Sequence, residues 1–154
     1  MYFAKVQKDF LADMLRAAKG HDLPRFFATY DQEHNLMFVS DGQFFCIIPS
    51  EVCFISARND KKRLQLDFFR KMYKADPDER NILEKTQLLG VIPGTKTQYR
   101  IFKTIDGEEI RVNEKLLQYF PDDNCIYYGT NRKSPVSVYM SHTFLGLILP
   151  INYK

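Results

Sequence analysis

The side chains best suited to catalysis or metal binding in this chain are three histidines (His21, His34, His142) and three cysteines (Cys46, Cys53, Cys125). Their spacing argues against both uses. No two histidines stand at the HxxxH or HExxH spacing that sets two ring nitrogens on one helix face. There is no CxxC pair. A Cys–His nucleophile would have to assemble in space, and Cys125 with His142 is the example the sequence offers. The GxSxG, P-loop and GxGxxG patterns are absent. Asp122 and Asp123 follow a predicted short helix, where a turn role suffices, and Glu108 and Glu109 read as hairpin residues. The expectation is no catalytic residue, no metal and no cofactor.

The elements that would position any site are easier to read. Tyr2–Val6 predicts a short strand, and Gln7–Gly20 a helix on which Val6, Phe10, Leu11, Met14, Leu15 and Ala18 recur at helical spacing. Gly20 reads as its C-cap, and Pro24 blocks continuation. Strands follow at Arg25–Tyr30, Leu36–Val39 and Phe44–Ile48, with a polar turn at Asp31–Asn35 and a tight one at Asp41-Gly42. Val52–Ser56 reads as one more short strand. Arg58–Lys62 is a basic turn, and Leu64, Phe68 and Met72 space out a helix that ends near Asp76-Pro77. Leu83–Ile92 fits helix and strand equally. A hairpin spans Thr97–Lys103 and Glu108–Val112 across Asp106-Gly107. Asn113 caps a short helix through Phe120. Cys125–Tyr128, Val136–Met140 and Phe144–Leu149 predict three final strands.

Two stretches share this grammar. Val6 before the first helix matches Val112 before the last, and Phe44–Pro49 matches Leu145–Pro150. The organisation expected is one α+β domain of two strand–helix–strand–strand–strand repeats, with both helices on one face of the sheet. Repeat one covers about 1–57, a middle helical insertion about 58–94, and repeat two about 95–154.

Composition agrees with a folded domain. The chain has 154 residues, 45% of them hydrophobic, enough for a sizeable core. Thirteen Phe and no Trp suit a large core or an aromatic contact surface, the core being the ordinary use. A net charge of +3 permits contact with nucleic acid or an acidic partner and demands neither. The odd cysteine count points to a reducing cytoplasm. MYFAKVQKDF lacks the apolar run of a signal peptide, and no stretch approaches membrane-span length, so no membrane is expected.

The segment Val112–Asn152 resembles the last domain of bacterial sliding clamps, the β subunit of the replicative DNA polymerase. The resemblance rests on Val112-Asn113 before a Leu116-Leu117 helix, on Ser134-Pro135-Val136 opening a strand, and on the ending Leu149-Pro150-Ile151. It covers about a quarter of the chain closely and about two-thirds in order of elements. It implies a DNA-clamp-like fold and a partner-peptide pocket formed by Pro135, Val136, Leu149, Pro150, Ile151 and Asn152. Val136 and Leu149 are also what a buried core strand would place there. The resemblance further implies helices that offer cations to duplex DNA, in contacts that are sequence-independent and salt-sensitive. The matching cations are Lys8, Arg16, Lys19, Lys61, Lys62, Arg63, Arg70, Lys71 and Lys115, diluted by Asp9, Asp13 and Glu114. A clamp subunit has three such domains and this chain has room for one, so a ring would require a homo-oligomer.

The expected function is therefore a non-enzymatic, clamp-like cytoplasmic protein, bacterial or phage in origin, that binds a replication or repair partner, duplex DNA or both. The alternative is a phage or mobile-element inhibitor or adaptor that uses the fold without DNA.

Overall fold

The computed structural model describes residues 2–21, 23–58, 66–121 and 123–152. The chain is α+β and divides into two compact units, Met1–Ala75 and Asp76–Lys154.

The first unit opens on helix α1 (Tyr2–Lys19). The expected strand at Tyr2–Val6 does not exist. Val6 and Phe10 are buried one helical turn apart, and the Gln7 side-chain amide donates to the Phe3 carbonyl at 3.1 Å, another i, i+4 contact. Helical periodicity thus overrides the local strand propensity of Tyr-Phe-Ala. The core-facing stripe is Val6, Gln7, Phe10 and Ala17, with Phe3 and Met14 half-buried; Leu11, Leu15 and Ala18 lie outside it. The residue in left-handed conformation after the helix is His21 (φ 62°), not Gly20.

Three antiparallel strands follow: β1 (Phe27–Asp31), β2 (Leu36–Ser40) and β3 (Phe44–Pro49). Phe27 pairs with Ser40 and Asp31 with Leu36; on the other side of β2, Leu36 pairs with Pro49 and Ser40 with Phe45. Gly42 takes φ 91° in the second turn, a conformation glycine adopts without steric cost. The Asp41 carboxylate closes that turn by accepting from the backbone N–H of Gln43 (2.9 Å) and Phe44 (3.2 Å). Helix α1 packs on the meander through Phe10, whose ring meets those of Phe26 (5.5 Å) and Phe44 (6.4 Å) edge-on.

Val52–Ser56 is not a strand. Its backbone groups pair with a side chain instead: the buried Gln7 amide donates to the Val52 carbonyl (3.0 Å) and accepts from the Phe54 N–H (2.7 Å). Only at Arg58 does the chain reach the edge of β1, in an isolated bridge to Ala28. Helix α2 (Leu66–Lys74) completes the unit, with Phe68 against Phe45 and Tyr73 against His34.

The second unit is a six-stranded antiparallel sheet, ordered β9-β8-β7-β4-β5-β6. Its strands are β4 (Ile82–Val91), β5 (Gln98–Lys103), β6 (Glu109–Asn113), β7 (Cys125–Tyr128), β8 (Val136–Met140) and β9 (Thr143–Ile148). The segment that read equally as helix or strand is the long β4. Its first residues pair with β7 (Leu83 with Tyr127), and from Glu84 it runs along β5 across a register shift between Lys85 and Leu89. Thr86 fills that irregularity, donating its hydroxyl to the Ile101 carbonyl (2.6 Å) and accepting from the Leu88 N–H. The middle segment 58–94 accordingly contributes α2 to the first unit and β4 to the second.

Asn113 caps the next element as expected, its side chain accepting from the Lys115 N–H at 3.1 Å, but the element is a 3₁₀ helix over Glu114–Tyr119. The core gathers Phe102, Ile110, Val112, Val136, Val138 and Ile148, all fully buried. The repeated grammar is thus a helical element followed by a three-stranded meander; a strand precedes it only in the second unit, because Val6 lies inside α1. No helix of the described residues is long and apolar enough to cross a membrane.

Candidate functional site

In the second unit, β6 pairs with β5 on one side only, and the chain after β9 approaches its other side. Leu149-Pro150 leaves the strand ladder, since proline has no N–H to give. The Ile151 N–H then donates to the Arg111 carbonyl at 2.7 Å, fixing Ile151 beside β6. Along this line lies a cleft of about 650 Å³ walled by Glu108, Glu109, Arg111, Arg132, Lys133, Ile151 and Asn152.

Two turns make the walls. In the β5–β6 hairpin, Gly107 adopts φ 85°, its N–H donates to the Thr104 carbonyl (2.9 Å), and the Glu108 carbonyl accepts from the Thr104 N–H (2.9 Å). The 131–134 turn is tied by its own side chains. Ser134 Oγ donates to the Asn131 carbonyl and accepts from the Thr130 N–H, while Asn131 Oδ1 accepts from the Lys133 N–H, each at 2.9 Å. The turns are joined where Glu108 Oε1 accepts from the Arg132 N–H at 3.2 Å. On β6, the Arg111 guanidinium lies 5.2 Å from the Tyr99 ring centre, a cation–π distance. Three cations thus face two carboxylates around one aliphatic side chain. This suits an extended segment of mixed charge with one apolar anchor.

Of the six residues matched to the clamp family's peptide pocket, Ile151 and Asn152 line the cleft. Val136 is fully buried in the core and offers no contact surface. Leu149 is 42% exposed, while Pro135 and Pro150 are half-buried. Glu108, Glu109, Arg111, Arg132 and Lys133 carry no site signal in the sequence. The sequence shows two polar turns but not that 108 and 132 meet.

The cations matched to DNA binding divide. Lys8 and Lys19 are exposed on α1, and Arg16 there pairs with Asp13. Lys61, Lys62 and Arg63 lie outside the described residues. Lys71 is exposed on α2, whereas Arg70 is committed to Asp31. Lys115 is exposed and lines a smaller hollow of about 280 Å³ with Lys96, Thr97, Gln98, Asn113 and Glu114.

A second cluster sits at the β1–β2 turn. The fully buried Asp31 carboxylate accepts from Arg70 Nε (3.0 Å) and Nη2 (2.7 Å) on one oxygen, and its other oxygen lies 2.7 Å from His34 Nδ1. Burial pushes the Asp31 carboxyl up, but Arg70 and His34 together outweigh it and hold it below the usual carboxylate range. Asp31, Glu33 and His34 bring potential ligand atoms within 4.8 Å of one another. Both Asp31 oxygens are already engaged, however, and the network's evident work is to tie α2 to the turn. The Cys125 thiol lies against the Pro121 carbonyl at 3.1 Å, and His142 is exposed in the β8–β9 turn. Burial, with the Asp41 charge adding to it, pushes the Cys46 thiol far up, away from nucleophile chemistry.

Comparisons with protein-family models, with curated proteins and with solved structures find no match to this chain.

Proposed function

We propose that this chain is a non-enzymatic interaction protein whose second unit holds an extended segment of a protein partner in the cleft between β6 and the 131–134 turn. The observation that carries this reading is the docking of Ile151 on the β6 edge, which places an aliphatic side chain among Glu108, Glu109, Arg111, Arg132 and Lys133. Ile151 and Asn152 are also among the positions that the clamp resemblance assigns to a peptide pocket. A replication or repair partner is the reading that this resemblance supports. The occupant differs from a purely apolar peptide, because the walls demand opposite charges from it. The reading requires no DNA, and two of the matched cations, Arg16 and Arg70, are spent on internal carboxylates.

The test is selection from a displayed random-peptide library on the intact protein, with the double variant Arg132→Glu, Lys133→Glu as counter-target. Both side chains belong to an exposed turn, so the variant keeps the fold. The expected peptides carry acidic and basic residues around one apolar anchor and bind the variant about tenfold or more weakly. An empty selection, or peptides indifferent to the double change, contradicts the reading.

A further inference from the structure

Helix α1 presents a second face that the core does not use. At ~100° per residue, Leu11, Leu15 and Ala18 form one stripe, turned well away from Val6, Phe10 and Ala17. All three are exposed, Leu11 at 37% and Leu15 at 69%. Lys8 and Lys19 fall within ~20° of each other along the outer margin of that stripe. Both lysines are exposed and make no ion pair among the described residues. The helix's carboxylates lie on a different side and are taken: Asp9 pairs with Lys5 at 2.8 Å and Asp13 with Arg16. The stripe is therefore apolar with a positive margin and no negative charge of its own.

That charge pattern selects the occupant. A second copy packed antiparallel, with Leu11 against Leu15, would set Lys8 of one copy beside Lys19 of the other. A parallel copy would carry the two lysine margins to opposite sides of the seam and leave them without a negative partner. The first arrangement places like charges at a contact, and neither gives the lysines an opposite charge. Duplex DNA would answer the lysines but leave Leu11 and Leu15 against phosphate, with no gain from their burial. An amphipathic helix with leucine-type residues on one face and Glu or Asp along its margin satisfies both features.

We propose that the exposed face of α1, centred on Leu15 and margined by Lys8 and Lys19, docks an acidic amphipathic helix of a protein partner. This surface lies in the first unit and does not depend on the cleft of the second.

The probe is a synthetic, end-blocked helical peptide with leucines at i, i+4 and i+7 and glutamates on the flanking positions, labelled for fluorescence anisotropy. Two controls accompany it: the same peptide with serine for leucine, and a labelled DNA duplex. The intact protein is expected to bind the leucine peptide about tenfold or more tightly than the serine control. Leu15→Asp is expected to weaken binding by about tenfold or more, as is the pair Lys8→Glu, Lys19→Glu, whose loss should shrink at high salt. All three positions are exposed, so circular dichroism should report an unchanged fold. The proposal is overturned if the leucine peptide does not bind or Leu15→Asp leaves its affinity unchanged. It is equally overturned if DNA binds in its place and responds to the lysine changes alone.

Discussion

Two buried polar residues show how single side chains decide this structure. Gln7 occupies a helix position where an apolar residue is the ordinary choice. Its amide instead serves three backbone groups, the carbonyls of Phe3 and Val52 and the N–H of Phe54. Gln7→Leu would keep the volume and strand two of those groups some 45 residues away along the chain. Both bonds are only part-buried, so water can meet part of the need, and we expect a loss of about 1–2 kcal/mol in chemical denaturation. A change within experimental error would mean that Val52–Ser56 is held by something else. Asp31 gives a pH signature. Its carboxyl is held below the usual range, so the folded state binds that proton more weakly than the unfolded chain does. The associated stability is fully present above the unfolded value, near 3.9, and is lost as pH falls through the lower folded value. Asp31→Asn should therefore flatten the acid limb of a stability-against-pH curve. An acid limb as steep as the parent's would remove Asp31 from the account.

Among the elements, the strands that turn dipeptides bracket were legible in sequence. Asp41-Gly42 and Asp106-Gly107 mark real hairpins, and Asn113 does cap the element that follows it. Besides Val52–Ser56, whose backbone pairs with Gln7, two segments were not legible, for physical reasons. Tyr2–Val6 has strand-forming residues but lies in a helix, because burial at Val6 and Phe10 sets the period. In Ile82–Val91, Leu88, Leu89 and Val91 remain exposed, so the segment carries no alternation that betrays a strand. The terminal run shows a third limit: its ending was recognisable, but its bond to Arg111 joins residues 40 positions apart. That bond is testable directly. The Ile151 amide should exchange more slowly than that of Asn152, and Ile151→Pro should cost only about 1 kcal/mol while weakening cleft-selected peptides. An Ile151 amide exchanging like a free tail would place this run off β6.

At the scale of the whole molecule, two units of similar length each build a meander beside a helical element, and each offers a different surface. The first shows an apolar stripe with a positive margin on α1, the second a mixed-charge cleft beside β6. The α+β class was readable from the sequence because hydrophobic period and turn chemistry agree along most of the chain. The cleft was readable only at Ile151 and Asn152, since its other walls come from turns whose meeting is a property of the fold. Amide chemical-shift mapping with a library-selected peptide tests the central claim most directly. The account predicts that shifts concentrate at residues 108–111, 131–134 and 150–152 and vanish in the Arg132→Glu, Lys133→Glu variant. Shifts confined to other surfaces, or none at saturating peptide, would contradict it.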